Sequence, residues 1–397
     1  MNRRFRASIS GWPAFLGLMM ACLLAYPWSV SGAMAAETHR SDYDLWISVS
    51  HQAVDGAINL LNQAANRNNK APELVVLTNA GYAAAKDRST EACLDGLRKN
   101  AHVSEGKRTL LSIHAAAGDP LWFFMMDKEN GNGVYSEIDP DALDFTDFSI
   151  RGELFSIRSL RNVKADNLFA DPETAHKTLF TDRAFNGNEF RIIGLSNLLL
   201  ENAPYDLIRS VQYHDHYCPG VTSGYFLVRY LKKHFPLTDE YGSYFVLSIP
   251  PYCKDDALIT LLNATPGKRG YGVFYLTAED KAMLKNGAQN IAGVFFRWNG
   301  DPAAPRGEGT ILSFDFTEAR AASNWGEKTA WNWWESRLKM NLWCLGQLDH
   351  PERFISEIPF NGEPTFNLAD ISGIAQPREL VRPGSDPLVS LDLKDMK

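Results

Sequence analysis

Between Tyr213 and Gly224 the chain reads Y-H-D-H-Y-C-P-G-V-T-S-G, which places two imidazoles, a carboxylate and a thiol (His214, Asp215, His216 and Cys218) close together. Imidazole nitrogen and thiolate sulfur suit zinc and other borderline or soft transition metals, because these donors are more polarisable than carboxylate oxygen. If the stretch is extended, alternation puts His214, His216 and Cys218 on one face and Asp215 and Tyr217 on the other. Pro219-Gly220 would then end the strand and open a helix, whose first-turn N–H groups stabilise a nearby thiolate. The competing reading is a surface loop with chance histidines and a buried thiol.

A second thiol stands in a similar setting. Tyr244 to Ile249 reads as a buried strand, followed by Pro250-Pro251-Tyr252-Cys253-Lys254-Asp255-Asp256-Ala257 and an apolar helical run from Leu258 to Leu262. Asp255 or Asp256 is a candidate helix cap. The candidate metal ligands are therefore His214, His216, Cys218 and Cys253, and the expected cofactor is a divalent transition metal, zinc first.

These residues resemble a known family. The H-x-H-x-C-P-G run with Gly224 four residues on, Cys253 before Asp256-Ala257, and then Asn263-Ala264-Thr265-Pro266-Gly267-Lys268 are similar to the FmdE-like family, whose name comes from an association with formylmethanofuran dehydrogenase. Members carry H-G-H-x-C-P-G-x-x-x-G, a later C-x-x-D-A helix and a T-x-G-K turn. The likeness covers about Asp206 to Trp298. It departs from the family at Asp215, where Gly is usual, and in lacking the C-terminal zinc-finger module of some members, since the chain has no C-x-x-C. The resemblance favours a metal and names no reaction, because FmdE-like proteins do not form the catalytic part of that dehydrogenase.

The elements that must position these groups begin after a leader. Arg3, Arg4 and Arg6 precede an apolar run from Pro13 to Trp28, and Ala33-Met34-Ala35 offers a small-residue cleavage site, so residues 1–35 read as a secretory signal and the mature protein as periplasmic or secreted. The run is too short and too early broken by Pro27 for a membrane anchor. Loss of three arginines and no acid takes the formal charge from −7 to −10, which argues against nucleic acid as a partner. Arg229, Lys232 and Lys233 read as the wet face of a helix that carries Phe226, Leu227, Tyr230 and Leu231 inward. Of the remaining cysteines, Cys93 and Cys344 read as core thiols.

Comparison of the two halves exposes an internal duplication. Leu77-Thr78-Asn79-Ala80-Gly81-Tyr82-Ala83 parallels Leu247-Ser248-Ile249-Pro250-Pro251-Tyr252-Cys253, and a helix and a Gly-Lys-Arg turn follow each, at Gly106-Lys107-Arg108 and Gly267-Lys268-Arg269. Phe185-Asn186-Gly187-Asn188 likewise answers Phe360-Asn361-Gly362-Glu363. The expected fold is α+β, two tandem FmdE-like units with antiparallel sheets and helices on one face, arranged as a pseudo-dimer within one chain. The expected boundaries are 1–35 for the signal, 36–201 for a degenerate unit and 202–397 for the unit with the intact motif. In this alignment Ala83 replaces Cys253, and Asp55 is what the first unit offers for Cys218. The tryptophans 325, 331, 333, 334 and 343 could line an aromatic pocket, but their helical spacing favours packing.

The chain has no phosphate-binding loop, no dinucleotide fingerprint, no nucleophile elbow and no covalent-haem motif. Three classes of function remain. One is a metal-binding protein whose His/Cys site binds or acts on a small molecule. The second is a thiol-based enzyme or redox protein using Cys218 and Cys253. The third is a non-catalytic carrier or accessory protein. Whether the protein is an enzyme stays open at this stage.

Overall fold

The computed structural model describes residues 41–67, 72–301, 303–325 and 332–395. The expected signal segment and Trp331 lie outside the described residues. Among the described residues, no helix is long and apolar enough to cross a membrane.

The first half begins with helix α1 (Asp42–Ala64), opened by a capping box between Ser41 and Asp44. Strand β1 (Leu74–Thr78), helix α2 (Ala92–Ala101) and strands β2 (Leu110–Ser112), β3 (Trp122–Asp127), β4 (Asn132–Ile138) and β5 (Phe155–Asn162) follow. They form a sheet in the order β2-β1-β3-β4-β5, with β1 parallel to β2 and antiparallel to β3. Helices α3 (Glu189–Leu200) and α4 (Tyr205–His214) lead into the second half, which opens with α5 (Pro219–His234). Strand β6 (Ser243–Ser248), helix α6 (Lys254–Leu262) and strands β7 (Tyr271–Val273), β8 (Ile291–Trp298) and β9 (Gly307–Phe314) come next. Helices α7 (Thr317–Ala322) and α8 (Trp333–Leu345) precede the edge strands β10 (Ile355–Glu357) and β11 (Thr365–Asn367). This sheet runs β7-β6-β8-β9-β10, with β11 also pairing with β9.

The protein is thus α+β, and its two sheets share a strand order. Leu77 stands opposite Leu111 and Phe124, as Leu247 stands opposite Gly272 and Val294. Helices α2 and α6 both end on a left-handed residue, His102 and Asn263. The Gly-Lys-Arg turns both put their arginine at positive φ, Arg108 at 57° and Arg269 at 56°.

Two details differ from the expectation. Each sheet is mixed, with one parallel pair, because the helix between its first two strands returns the chain in the same direction. The first sheet also has helices on both faces. Val76, Phe123 and Met125 pack with α1 and α2, whereas Val75, Leu77, Phe124 and Tyr135 share a core with Ile192, Leu195 and Leu198 of α3. That is why β1 and β3 are buried throughout instead of alternating. The same core takes in Val246 and Phe295 of the second sheet, so one continuous apolar interior spans both halves. The opposite face of the second sheet, with Phe245, Leu247 and Phe296, packs on the C-terminal segment through Phe360, Phe366 and Leu388.

Phe226, Leu227, Tyr230 and Leu231 are buried on α5, as the sequence indicates. Cys93 and Cys344 are buried free thiols.

Candidate metal centre

The motif is not a strand. His214 is the last residue of α4, Asp215 turns the chain in the left-handed region at φ 72°, and extended Cys218 is the N-cap of α5. The apolar spacing of Leu207, Ile208 and Val211 carries the helix as far as His214, and only then does the chain break. Positive φ at position 215 accounts for the glycine usual there in the family. Aspartate tolerates that conformation better than most side chains, and here its carboxylate is used: Oδ1 lies 2.7 Å from His216 Nδ1, and Oδ2 accepts from Arg191 at 2.8 Å.

Helix α5 reaches the second thiol because its first turns carry glycine. A Cβ on Gly220 would lie 2.7 Å from Cys253 Cβ, and one on Gly224 would lie 2.2 Å from the Lys254 carbonyl oxygen. The glycines of the motif therefore let α5 lie against the start of α6, where Cys253 is the N-cap. Each thiol thus stands at a helix N-terminus, where unpaired N–H groups favour a thiolate.

His214, Cys218 and Cys253 come together as a group whose donor atoms all lie within 4.8 Å of one another. Cys218 Sγ is 3.5 Å from His214 Nε2, close to the ~3.5 Å edge between sulfur and nitrogen that tetrahedral zinc with its usual bond lengths requires. His214 Nδ1 is 2.6 Å from Asp256 Oδ2, so a carboxylate holds the imidazole with Nε2 toward the sulfurs, the arrangement usual for a metal-binding histidine. Asp256 is therefore not a helix cap. Asp255 accepts from the Tyr252 N–H at 3.1 Å and so steadies the turn that presents Cys253. His216 stands outside the group of three, its ring centroid 4.4 Å from that of His214 and its Nδ1 taken by Asp215.

The metal-free electrostatics follow from these contacts. Cys253 is pulled down to about 4, first by a hydrogen bond from Cys218 and then by His214. Cys218 is pushed up, because its thiol donates to Cys253 and is buried. Burial acts against the charged form of His214, but the bonds to Asp256 and Cys253 outweigh it and raise the imidazole to about 9. A thiolate, a thiol and an imidazolium thus share one proton-rich pocket that a divalent cation could replace. Lys254 is wholly buried beside it, with Nζ bonded to Ser248 Oγ at 2.6 Å and Asp255 Oδ1 at 3.0 Å, and burial lowers it to about 8.

Residues of the first half reach this centre. Gln212 N–H groups and carbonyl bond Ser112 and His114, and Tyr213 stacks on His114 at 5.2 Å, which ties the end of α4 to β2. A polar chain runs from buried Glu137 through Tyr135 Oη (2.7 Å) to Asn188, then to Arg191 and Asp215 and so to His216. On the other side Tyr217 and Asn341 of α8 exchange hydrogen bonds at 3.0 and 2.8 Å. The sequence offered no sign of Arg191 or Asn341 in these roles, since neither lies near a motif.

A cleft of about 330 Å³ adjoins the sulfurs and is lined by His216, Cys218 and Cys253. The tryptophans divide: Trp334 is core, whereas Trp325 lines this cleft. No curated protein matches the chain. Residues 213–331, which hold all four candidate ligands, match the family model described as FmdE, molybdenum formylmethanofuran dehydrogenase operon, and this part of the chain is similar to that family.

Proposed function

We propose that the protein is an exported metal-binding protein that holds one divalent transition metal, zinc first, through His214, Cys218 and Cys253, with His216 beside them as the fourth candidate. The observation that carries this is the convergence of those three donors within 4.8 Å around a histidine oriented by Asp256. Three protein donors leave a position for an outside ligand, as in catalytic zinc sites, and Cys218 and Cys253 line the cleft from which it would come. A bound metal would supply Lewis-acid polarisation of an oxygen on a small molecule there. Asp256, by holding His214 at Nδ1, leaves Nε2 as the nitrogen that would exchange its proton for the metal, and the N-termini of α5 and α6 favour the thiolates.

A thiol role is the second reading, favoured by the low value of Cys253 beside a second reduced cysteine. Stoichiometric metal with no free thiol at these positions supports the first reading, and two titratable thiols without metal support the second. Turnover of a small molecule separates an enzyme from a carrier.

The tandem reading, 36–201 and 202–397, is supported by the shared strand order. Ser50 faces Gly96 between α1 and α2 as Gly224 faces Ala257 between α5 and α6. Counting back from these contacts and from the helix C-caps puts Asp44 at the place of Cys218 and Ala92 at the place of Cys253, instead of Asp55 and Ala83. Either way the first copy lacks the thiols. The shared core joins unlike faces of the two sheets, so the tandem reading does not need a two-fold axis. Export is inferred from the leader sequence.

Elemental analysis of protein purified without a metal-scavenging tag tests the reading. One equivalent is expected, lost in His214→Ala and in Cys218→Ala/Cys253→Ala and retained more weakly in His216→Ala. Two equivalents, or one that survives the double cysteine change, would sink it.

A further inference from the structure

The cleft beside the sulfurs has a chemistry of its own. Two guanidinium groups line it, Arg320 from α7 and Arg337 from α8, and no carboxylate does. That runs against the chain as a whole, in which 47 acidic residues outnumber 40 basic ones. Among the described residues neither arginine has a carboxylate partner. Arg337 lies instead against aromatic faces, its Cζ 5.4 Å from the Trp325 ring centroid and 5.2 Å from that of Trp333, and one of its nitrogens donates to the Trp333 carbonyl at 3.4 Å. Arg320 Cζ lies 5.7 Å from the Phe316 ring.

A guanidinium that lies over indole rings keeps its remaining N–H groups for hydrogen bonding, and that planar fork matches the two oxygens of a carboxylate or phosphate. Phe190, Tyr252 and Trp325 supply flat apolar walls. A volume of about 330 Å³ is at the small end of ligand sites and accommodates a body of single-ring size. Arg337 lies beyond the segment that matches the family model.

We infer that the cleft binds a small organic oxyanion carried on a flat apolar body, with the charged end on Arg320 and Arg337 and the other end directed toward Cys218 and Cys253. The proposed metal function bears only on what that other end meets. The anion end rests on the arginines and the aromatic walls.

Calorimetric titration of the full chain, with and without zinc, tests this with benzoate, phenyl phosphate, their neutral counterpart benzamide, and inorganic phosphate. At least one aryl oxyanion should bind about tenfold more tightly than benzamide, a gap of about 1.4 kcal/mol, and more tightly than inorganic phosphate. The preferred aryl compound tells carboxylate from phosphate. Arg337→Met and Arg320→Met should each close most of the gap, by lowering the affinity for the aryl oxyanion more than that for benzamide. Equal binding of benzamide and the aryl oxyanions, no binding of any of them, or a gap that survives both substitutions would overturn the inference. Inorganic phosphate binding as tightly as the aryl oxyanions would overturn the aromatic half of it. Zinc content is measured separately. An arginine-dependent gap in protein that takes up no metal would leave the anion site standing and fail the metal reading, and zinc uptake with no gap would do the reverse.

Discussion

His214 Nδ1 lies 2.6 Å from Asp256 Oδ2, across the junction between the end of α4 and the first turn of α6. The carboxylate decides which nitrogen faces Cys218. Asp256→Asn, which keeps the shape and loses the charge, should lower metal affinity by about tenfold to a hundredfold. Competition with a chromophoric chelator measures this, and unchanged affinity would remove His214 from the ligand set.

The close approach of α5 to α6 predicts the effect of adding a side chain at Gly224. A Cβ there meets the Lys254 carbonyl and Ala257 Cβ, backbone and packed core that cannot move aside cheaply. Gly224→Val should destabilise the fold by roughly 1–3 kcal/mol, as overpacking does, and should also lower metal content by shifting Cys218 away from Cys253. Denaturant unfolding and metal analysis of one preparation read both. Full stability with full metal would show that the helices need not touch at this point.

In protein stripped of metal, the two shifts have opposite signs. Cys253 is lowered from 9.0 to about 4, so its contribution to stability is fully present above 9 and is lost as pH falls through about 4. His214 is raised from 6.5 to about 9, so its contribution is present below 6.5 and is lost as pH rises through about 9. The thiolate and imidazolium therefore coexist between about 4 and 9. Alkylation of Cys253 by iodoacetamide should be nearly flat from about pH 5 to 8, whereas a rate that climbs roughly tenfold per pH unit across that range would mean an ordinary thiol. With metal bound, alkylation should stop, and acidification should release the metal because protons compete for the same donors.

A chain that begins at Asn202 lacks α3 and the first sheet, and so loses Arg191, Phe190 and the contacts of α4 with β2. It also exposes the face that packs with Ile192, Leu195 and Leu198. Aggregation or self-association is expected, since a large apolar patch in water favours both. A stable monomer with full metal content, seen by light scattering at high concentration, would make the halves independent.

The sequence showed what local rules govern. Pro219 marked a helix start and so placed Cys218 at an N-terminus, and the apolar run from Tyr244 marked the strand that leads to Cys253. It left an extended His214 open, because three ligands at alternate positions mimic a strand while the helical signal lies in the preceding residues. It offered Asp255 or Asp256 as a cap, because capping is the local use of an aspartate after a turn; the partner of Asp256 lies 42 residues earlier and becomes a neighbour only when α4 packs on α6. Arg191, Arg320 and Arg337 were silent for the same reason, since a lone arginine on an amphipathic helix reads as solvated surface until the packing is known.

Helix α4 is held on two sides, by Gln212 and Tyr213 against the first sheet and by Ser210 Oγ, 3.1 Å from Thr260 Oγ1, against α6. It ends on one ligand while α5 and α6 begin on the other two. Three helix ends thus meet at a point, and in mechanical terms a metal there is a clasp that closes the chain between His214 and Cys253 into a loop. A load on the termini bypasses the clasped segment, so loading with metal should shorten the length of chain released when the second half unfolds.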